Sequence, residues 1–188
     1  MHAPNHCPED GLTYKTIHNA DIQNKRKVKV IACGPQGVIH DYVPFYFGYR
    51  SPMLLQLQTG KVKGYTEGQV PLIYLCSGAQ VVQNRGLEFV FSDGHGIAAF
   101  TQWFDDLNDL GKVDWDMVYQ RLWFDDNNNP DRQRRKQAEF LVYKVCPWSV
   151  IDEIVVIDKK TKTAVETILA DFSEKLSRPV QVRRDWYY

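Results

Sequence analysis

A chain of 188 residues fits one domain, and 44% hydrophobic with 13% aromatic residues is enough to fill its core, which excludes a globally disordered protein. The formal net charge is zero, so no bulk field draws in nucleic acid or a membrane surface, and only local basic islands at residues 25–29, 132–136 and 183–184 are left to grip phosphates. No apolar run approaches the ~20 residues that cross a bilayer, the start is too polar for a signal peptide, and Cys7, Cys33, Cys76 and Cys146 lack paired spacing, which together point to reduced thiols in a cytoplasmic setting.

In chain order, the first forty residues carry little periodicity. His2, His6 and Cys7 crowd the start without a fourth ligand, so no metal site is expected there. "DGLTY" (10–14) reads as loop and "ADIQNKRK" (20–27) as a short helix with a basic end. "HDYVPFYFGYRSPML" (40–54) is neither a clean strand nor a clean helix: large side chains fall on both faces and Pro44 removes a ladder donor, so the run reads as buried on two sides or as a pocket wall. "PLIYLCS" (71–77) and "LEFVFSDG" (87–94) are apolar runs bounded by turn residues and predict buried strands. "DWDMVYQRLW" (114–123) predicts a helix capped by Asp114, and "DDNNNPD" (125–131) a surface loop. Three more strands follow at 138–145, 152–158 and 180–186, with an amphipathic helix at 160–177 between the last two. This order lacks regular β-α alternation and predicts an α+β fold with a curved, mostly antiparallel sheet.

Walker loops, dinucleotide-binding glycine fingerprints and serine elbows are absent, which removes the usual evidence for the common nucleotide-binding and hydrolase classes. Glu139 begins the strand at 138–145, on the face of Leu141 and Tyr143, and a carboxylate there is either a solvated edge group or a functional one. His95 stands in "FSDGHG" between Gly94 and Gly96, which let backbone or ligand approach closely, as a loop histidine bonded to backbone or as a ligand contact. Arg26 sits among lysines, where a solvated charge is the bland reading.

The aromatic run at 40–54 closely resembles the signature of the DarT-type DNA ADP-ribosyltransferase toxins, and other segments follow that family in order. "IHNADIQNKR" (17–26) resembles the segment with an essential arginine, here Arg26; "FSDGHG" (91–96) its histidine loop, here His95; and "RKQAEFLV" (135–142) its catalytic-glutamate block, here Glu139. The resemblance implies a single ADP-ribosyltransferase-like domain over residues 1–188 with a split, curved sheet and flanking helices. It implies NAD as co-substrate without a metal, and ADP-ribose transfer to a base, thymine by this branch, in single-stranded DNA. It also implies a bacterial toxin with a macrodomain antitoxin. By the same match Glu139 and Arg26 are catalytic, Tyr42, Tyr46 and His95 hold the cofactor, and Arg50, Met53, Arg132, Arg134 and Arg135 contact DNA. The family's first strand, with a pattern like "THxxN", has no counterpart here, so the domain is expected to lack that strand and its hold on NAD; His18 in "TIHN" lies in the later segment and does not take that role. Two readings compete on residues alone: a non-catalytic module binding single-stranded nucleic acid, and a nuclease toxin.

Overall fold

Aromatic and β-branched runs form seven strands in two sheets in the computed structural model, which describes residues 1–9, 11, 15–173 and 176–188. The first sheet has the order β1 (Tyr42–Tyr46), β5 (Glu139–Tyr143), β3 (Phe89–Ser92), β4 (Trp103–Phe104), with every neighbouring pair antiparallel. The second places β6 (Glu153–Val156) between antiparallel β2 (Tyr74–Cys76) and parallel β7 (Val180–Val182). The one parallel pair is joined by helix α6 (Lys159–Ala170), as a parallel connection requires a crossover. The other helices are α1 (Ala20–Val28), α2 (Pro52–Gln58), α3 (Ala79–Asn84), α4 (Trp115–Tyr119) and α5 (Arg132–Lys136). The expected α+β class with a split, mostly antiparallel sheet is what the chain adopts.

The two-faced run at 40–54 is resolved by register. Phe47 N–H donates to Ala138 C=O at 3.3 Å and Lys144 N–H to Asp41 C=O at 2.8 Å, which makes the odd-numbered positions 41–47 the hydrogen-bonded ones. Pro44 therefore falls on a non-bonded pair with Leu141, in an edge strand, where its missing donor costs no ladder bond. The run is thus a short strand, Tyr42–Tyr46, between a 3-10 turn and helix α2, and as the sequence suggests it packs on two sides and lines a pocket, with Pro44 exposed. Val43, Phe45 and Phe47 join Phe89, Phe91, Phe140 and Val142 on one side; Tyr42 joins Ile31, Ile39, Val90, Leu141 and Tyr143 on the other.

Three expectations change at the edges. The opening is not simply loop: His2 bridges Val145, Ala3 N–H donates to Lys144 C=O, and Ala3 is fully buried in the core. The strand expected at 180–186 ends at Val182 and gives way to a 3-10 turn, Arg184–Trp186. The helix expected at 160–177 stops at Ala170. Of "DGLTY", only Gly11 is among the described residues, and Glu174 and Lys175 lie outside them as well. No helix among the described residues is long and apolar enough to cross a membrane, and none of their His, Cys, Asp or Glu side chains form a group of three suited to a metal ion.

The basic island at 132–136 is wired inward. Lys136 is 3% exposed, and its ammonium donates to the carbonyls of Val118 (2.6 Å) and Tyr49 (3.1 Å). Burial, aided by Arg50, lowers its pKa from 10.5 to about 8. Between those two values the unfolded chain holds a proton that the folded chain has lost, so this residue's contribution to stability rises with pH through that window. The stability of the wild type relative to Lys136→Met, from urea unfolding at each pH, is expected to climb by up to about 3 kcal/mol between pH 8 and 10.5. A flat difference would show that Lys136 titrates alike in both states.

Candidate active site

The β1–β5 register that accommodates Pro44 also builds a site at the end of the first sheet. Tyr46 pairs with Glu139 at a non-bonded position, the arrangement in which cross-strand side chains approach most closely. β3 reaches the same end, but its last residue turns away from regular pairing: Glu139 N–H donates to Ser92 Oγ (3.2 Å), and Ser92 Oγ–H in turn donates to Gly94 C=O (2.7 Å). The hydroxyl thereby ends the ladder and bends residues 92–96 across Glu139. Gly96 N–H then donates to Glu139 Oε1 at 2.9 Å, and His95 N–H to Arg134 C=O at 2.9 Å. A Cβ on Gly96 would lie 3.0 Å from Ile39 Cδ1 and 3.1 Å from both Glu139 Oε1 and Trp103, so glycine is what allows this loop to touch the carboxylate.

Helix α1 supplies the opposing charge. Asn19 caps it by accepting from Asp21 and Ile22 N–H, and its one buried residue is Arg26. Arg26 Nη1 lies 3.0 Å from Glu139 Oε1 and 2.8 Å from Oε2, with Glu139 2% and Arg26 7% exposed. Arg26 Nη2 is buried with no hydrogen-bond partner. Gln23, one turn earlier, receives His40 at 3.0 Å through its Oε1 and ties the helix to the 3-10 turn Ile39–Asp41.

A cleft of about 360 Å³ opens over this pair, the size of a small-ligand site. Arg26, Glu139, Tyr46, His95, Met53 and Tyr42 all line it, together with His18, His40, Gln23, Gln137 and Lys61. Burial, with the Glu139 charge beside it, pushes the Tyr46 phenol well above its ordinary pKa, so its hydroxyl keeps its proton. Burial pushes His95 below the usual histidine range against the opposing pull of Glu139, with Arg26 and Lys25 adding to the drop. His40 is lowered likewise, by burial first and then by Arg26 and Lys27.

The geometry also places the other sequence-assigned residues. Tyr42 lines the cleft but is fully buried, its ring packed on Tyr143 and its hydroxyl donating to Gln36 C=O at 2.7 Å. Arg50 is 9% exposed; its Nε donates to Tyr187 C=O (2.8 Å) and its guanidinium lies over the Tyr188 ring, so it braces the C-terminal segment. Arg132 pairs with Asp126, Arg134 with Asp93 and Asp131, and Arg135 with Asp114, so the island is tied to the preceding loop. Met53 stays partly exposed, in the first turn of α2 behind the Ser51 cap. The Gly96 N–H, the Ser92 hydroxyl and the Gln23–His40 tie were not read from sequence; the glycine flanking His95 was the one available signal.

Comparison with known proteins fits this arrangement. A family model described as "ssDNA thymidine ADP-ribosyltransferase, DarT" matches residues 1–188. The chain belongs to the DarT family. A DNA ADP-ribosyl transferase from Thermus sp. (strain 2.9) is 42% identical over 174 residues, covering 93% of this chain and 81% of the relative. Two solved structures of Thermus sp. 2.9 DarT superpose on the whole chain and on 87% of theirs. The complex with ADP-ribosylated single-stranded DNA does so at TM-score 0.93 and 40% identity, and the complex with NAD+ at 0.89 and 38%. For a DarT fold built this way, Gly96→Ala is expected to displace the Glu139 carboxylate and to lower ADP-ribosyl transfer per folded molecule by about 100-fold, the usual penalty of a misplaced reacting group. Transfer at the wild-type rate by a folded Gly96→Ala chain would show that the carboxylate does not depend on this contact.

Proposed function

We propose that Glu139 and Arg26 are the catalytic pair of this DNA ADP-ribosyltransferase and that thymine in single-stranded DNA is the base it modifies. The chain is an NAD-dependent enzyme that transfers ADP-ribose to single-stranded DNA. That activity replaces the two competing readings, a binding module and a nuclease. The observation that carries the residue assignment is the buried Arg26–Glu139 pair in the cleft wall.

Breaking the bond between nicotinamide and ribose builds positive charge on the sugar. A fixed carboxylate opposes that charge and accepts a hydrogen bond from a ribose hydroxyl, as in glycoside hydrolysis. Glu139 is held for this by Gly96 N–H and Arg26. Arg26 keeps one unpartnered Nη2, a donor for an oxygen of the diphosphate or of the acceptor base. Tyr46 and Met53 both line the cleft and supply surfaces for nicotinamide or an extruded base, each stacked base being worth ~1–3 kcal/mol. With Arg50 and the 132–136 island committed internally, exposed cations nearer the opening, Lys61 among them, are left to meet phosphates. The family resemblance further supports a bacterial toxin whose mark a macrodomain antitoxin removes.

The test is mass spectrometry of a thymine-containing single-stranded oligonucleotide, which should gain the mass of ADP-ribose only with NAD present. An otherwise identical oligonucleotide without thymine should not gain it. Glu139→Gln is expected to cut transfer by about 100-fold or more per folded molecule, and to lower stability by about 3 kcal/mol because the Arg26 charge is left buried without its partner. Undiminished modification by that variant would remove Glu139 from the mechanism.

A further inference from the structure

We infer that the imidazole of His95 is the proton acceptor for the base as it is ADP-ribosylated, a role that goes beyond holding cofactor and rests on thymine being the acceptor. Thymine offers a ring N–H. In the transfer a bond forms between that nitrogen and the ribose anomeric carbon, and the bond from that carbon to nicotinamide breaks, its electron pair neutralising the pyridinium. Nothing is oxidised or reduced, but one proton must leave the base. Moving it to an imidazole nitrogen gives imidazolium, which then releases it to solvent.

Most other cleft groups are donors or are already engaged. Arg26 is a guanidinium, always protonated and a donor only, and Lys61 likewise donates. Glu139 has both oxygens engaged by Arg26, with Gly96 N–H on one of them as well. The Tyr46 hydroxyl is held in its protonated form by burial beside Glu139. His40 shares Nε2 with Gln23, and His18 is an exposed residue.

His95 has the opposite character. Its backbone is pinned on both sides: N–H donates to Arg134 C=O, and its C=O accepts from Ala98 N–H (2.9 Å) and Thr101 Oγ–H (2.7 Å). Its ring nitrogens make no hydrogen bond with any described residue, although the side chain lines the cleft one residue from the N–H that touches Glu139. A ring fixed by its backbone, with nitrogens left uncommitted beside the catalytic carboxylate, is placed to receive something from the ligand. The charged groups acting on it are Glu139, Arg26 and Lys25, and together with burial they leave it neutral, hence basic, at neutral pH.

The experiment measures transfer to a thymine oligonucleotide at saturating NAD across pH, with wild-type, His95→Ala and His95→Asn chains. Wild type is expected to lose rate on acidification, at a pH below the usual histidine range, as the ring protonates. Both variants should lose that acid limb and about 100-fold or more in kcat at neutral pH and saturating NAD, beyond any rise in KM for NAD, and added imidazole should restore much of the His95→Ala rate. A merely structural histidine would give neither rescue nor a shifted pH profile. His95→Asn keeps a polar side chain without a titrating nitrogen and decides the matter if His95→Ala unfolds. Wild type that modifies thymine beside a variant with unchanged rate and acid limb overturns the proton-acceptor role alone. Wild type that leaves thymine untouched overturns the substrate reading and this inference with it.

Discussion

The pairing of Arg26 with Glu139 is the constraint around which the rest of this structure is arranged. Removing two charges from water costs several kcal/mol per ion, and only good geometry with further hydrogen bonds offsets it. Here the two carboxylate oxygens share one guanidinium nitrogen, and Gly96 N–H adds a third contact. The second guanidinium nitrogen stays buried and unpartnered, so the balance is left incomplete on the arginine side. An apolar pair of similar volume would serve stability as well or better. What a nonpolar pair would lack is a fixed negative charge and a spare donor facing one cleft.

Holding that pair requires three elements far apart in sequence to converge. β5 supplies the carboxylate from its first residue, where the ladder to β3 has just been replaced by the Ser92 hydroxyl. Because β1 meets β5 in a register that puts Pro44 and Tyr46 on non-bonded positions, one pairing both tolerates the proline and sets Tyr46 beside Glu139. Helix α1 brings Arg26 with almost no apolar face of its own, so it is docked by polar contacts: Ile39 N–H on the Lys29 carbonyl at its C-cap, Gln23 on His40, and the ion pair itself. The site and the docking of this helix are therefore the same set of interactions. Loss of the carboxylate removes a part of what holds the helix in place as well as a group lining the cleft.

The sequence carried the fold class well, because buried strands announce themselves as apolar runs and five of the seven lie within the stretches read that way. The others had physical reasons to be obscure. Tyr42–Tyr46 is buried on both faces and so lacks alternation, and Trp103–Phe104 is only two residues long. Glu139 was legible because a carboxylate opening an apolar strand needs a partner. Arg26 was not legible by itself, since its lysine neighbours disguise the one side chain that turns inward. The internal pairing of residues 132–136 was not legible for the converse reason: a basic cluster in sequence says nothing about the aspartates that meet it. Asp93, Asp114, Asp126 and Asp131 come from loops and caps spread over some forty residues.

That internal pairing also bears on how DNA is held. Each arginine of the 132–136 island has a carboxylate partner, and Lys136 spends its ammonium on two carbonyls, so the segment leading into the catalytic strand projects little net positive field. With the whole chain at zero formal charge, long-range attraction cannot gather the polymer from a distance. Recognition then falls to short-range contacts inside the cleft: aromatic and thioether surfaces for a base, neutral amides and imidazoles for its edges, and few phosphate contacts at the opening. An interface of that kind discriminates by the shape and hydrogen-bonding edge of one extruded base. A paired base keeps both its faces stacked and its edge occupied, and so single-stranded DNA is the form this cleft is built to accept.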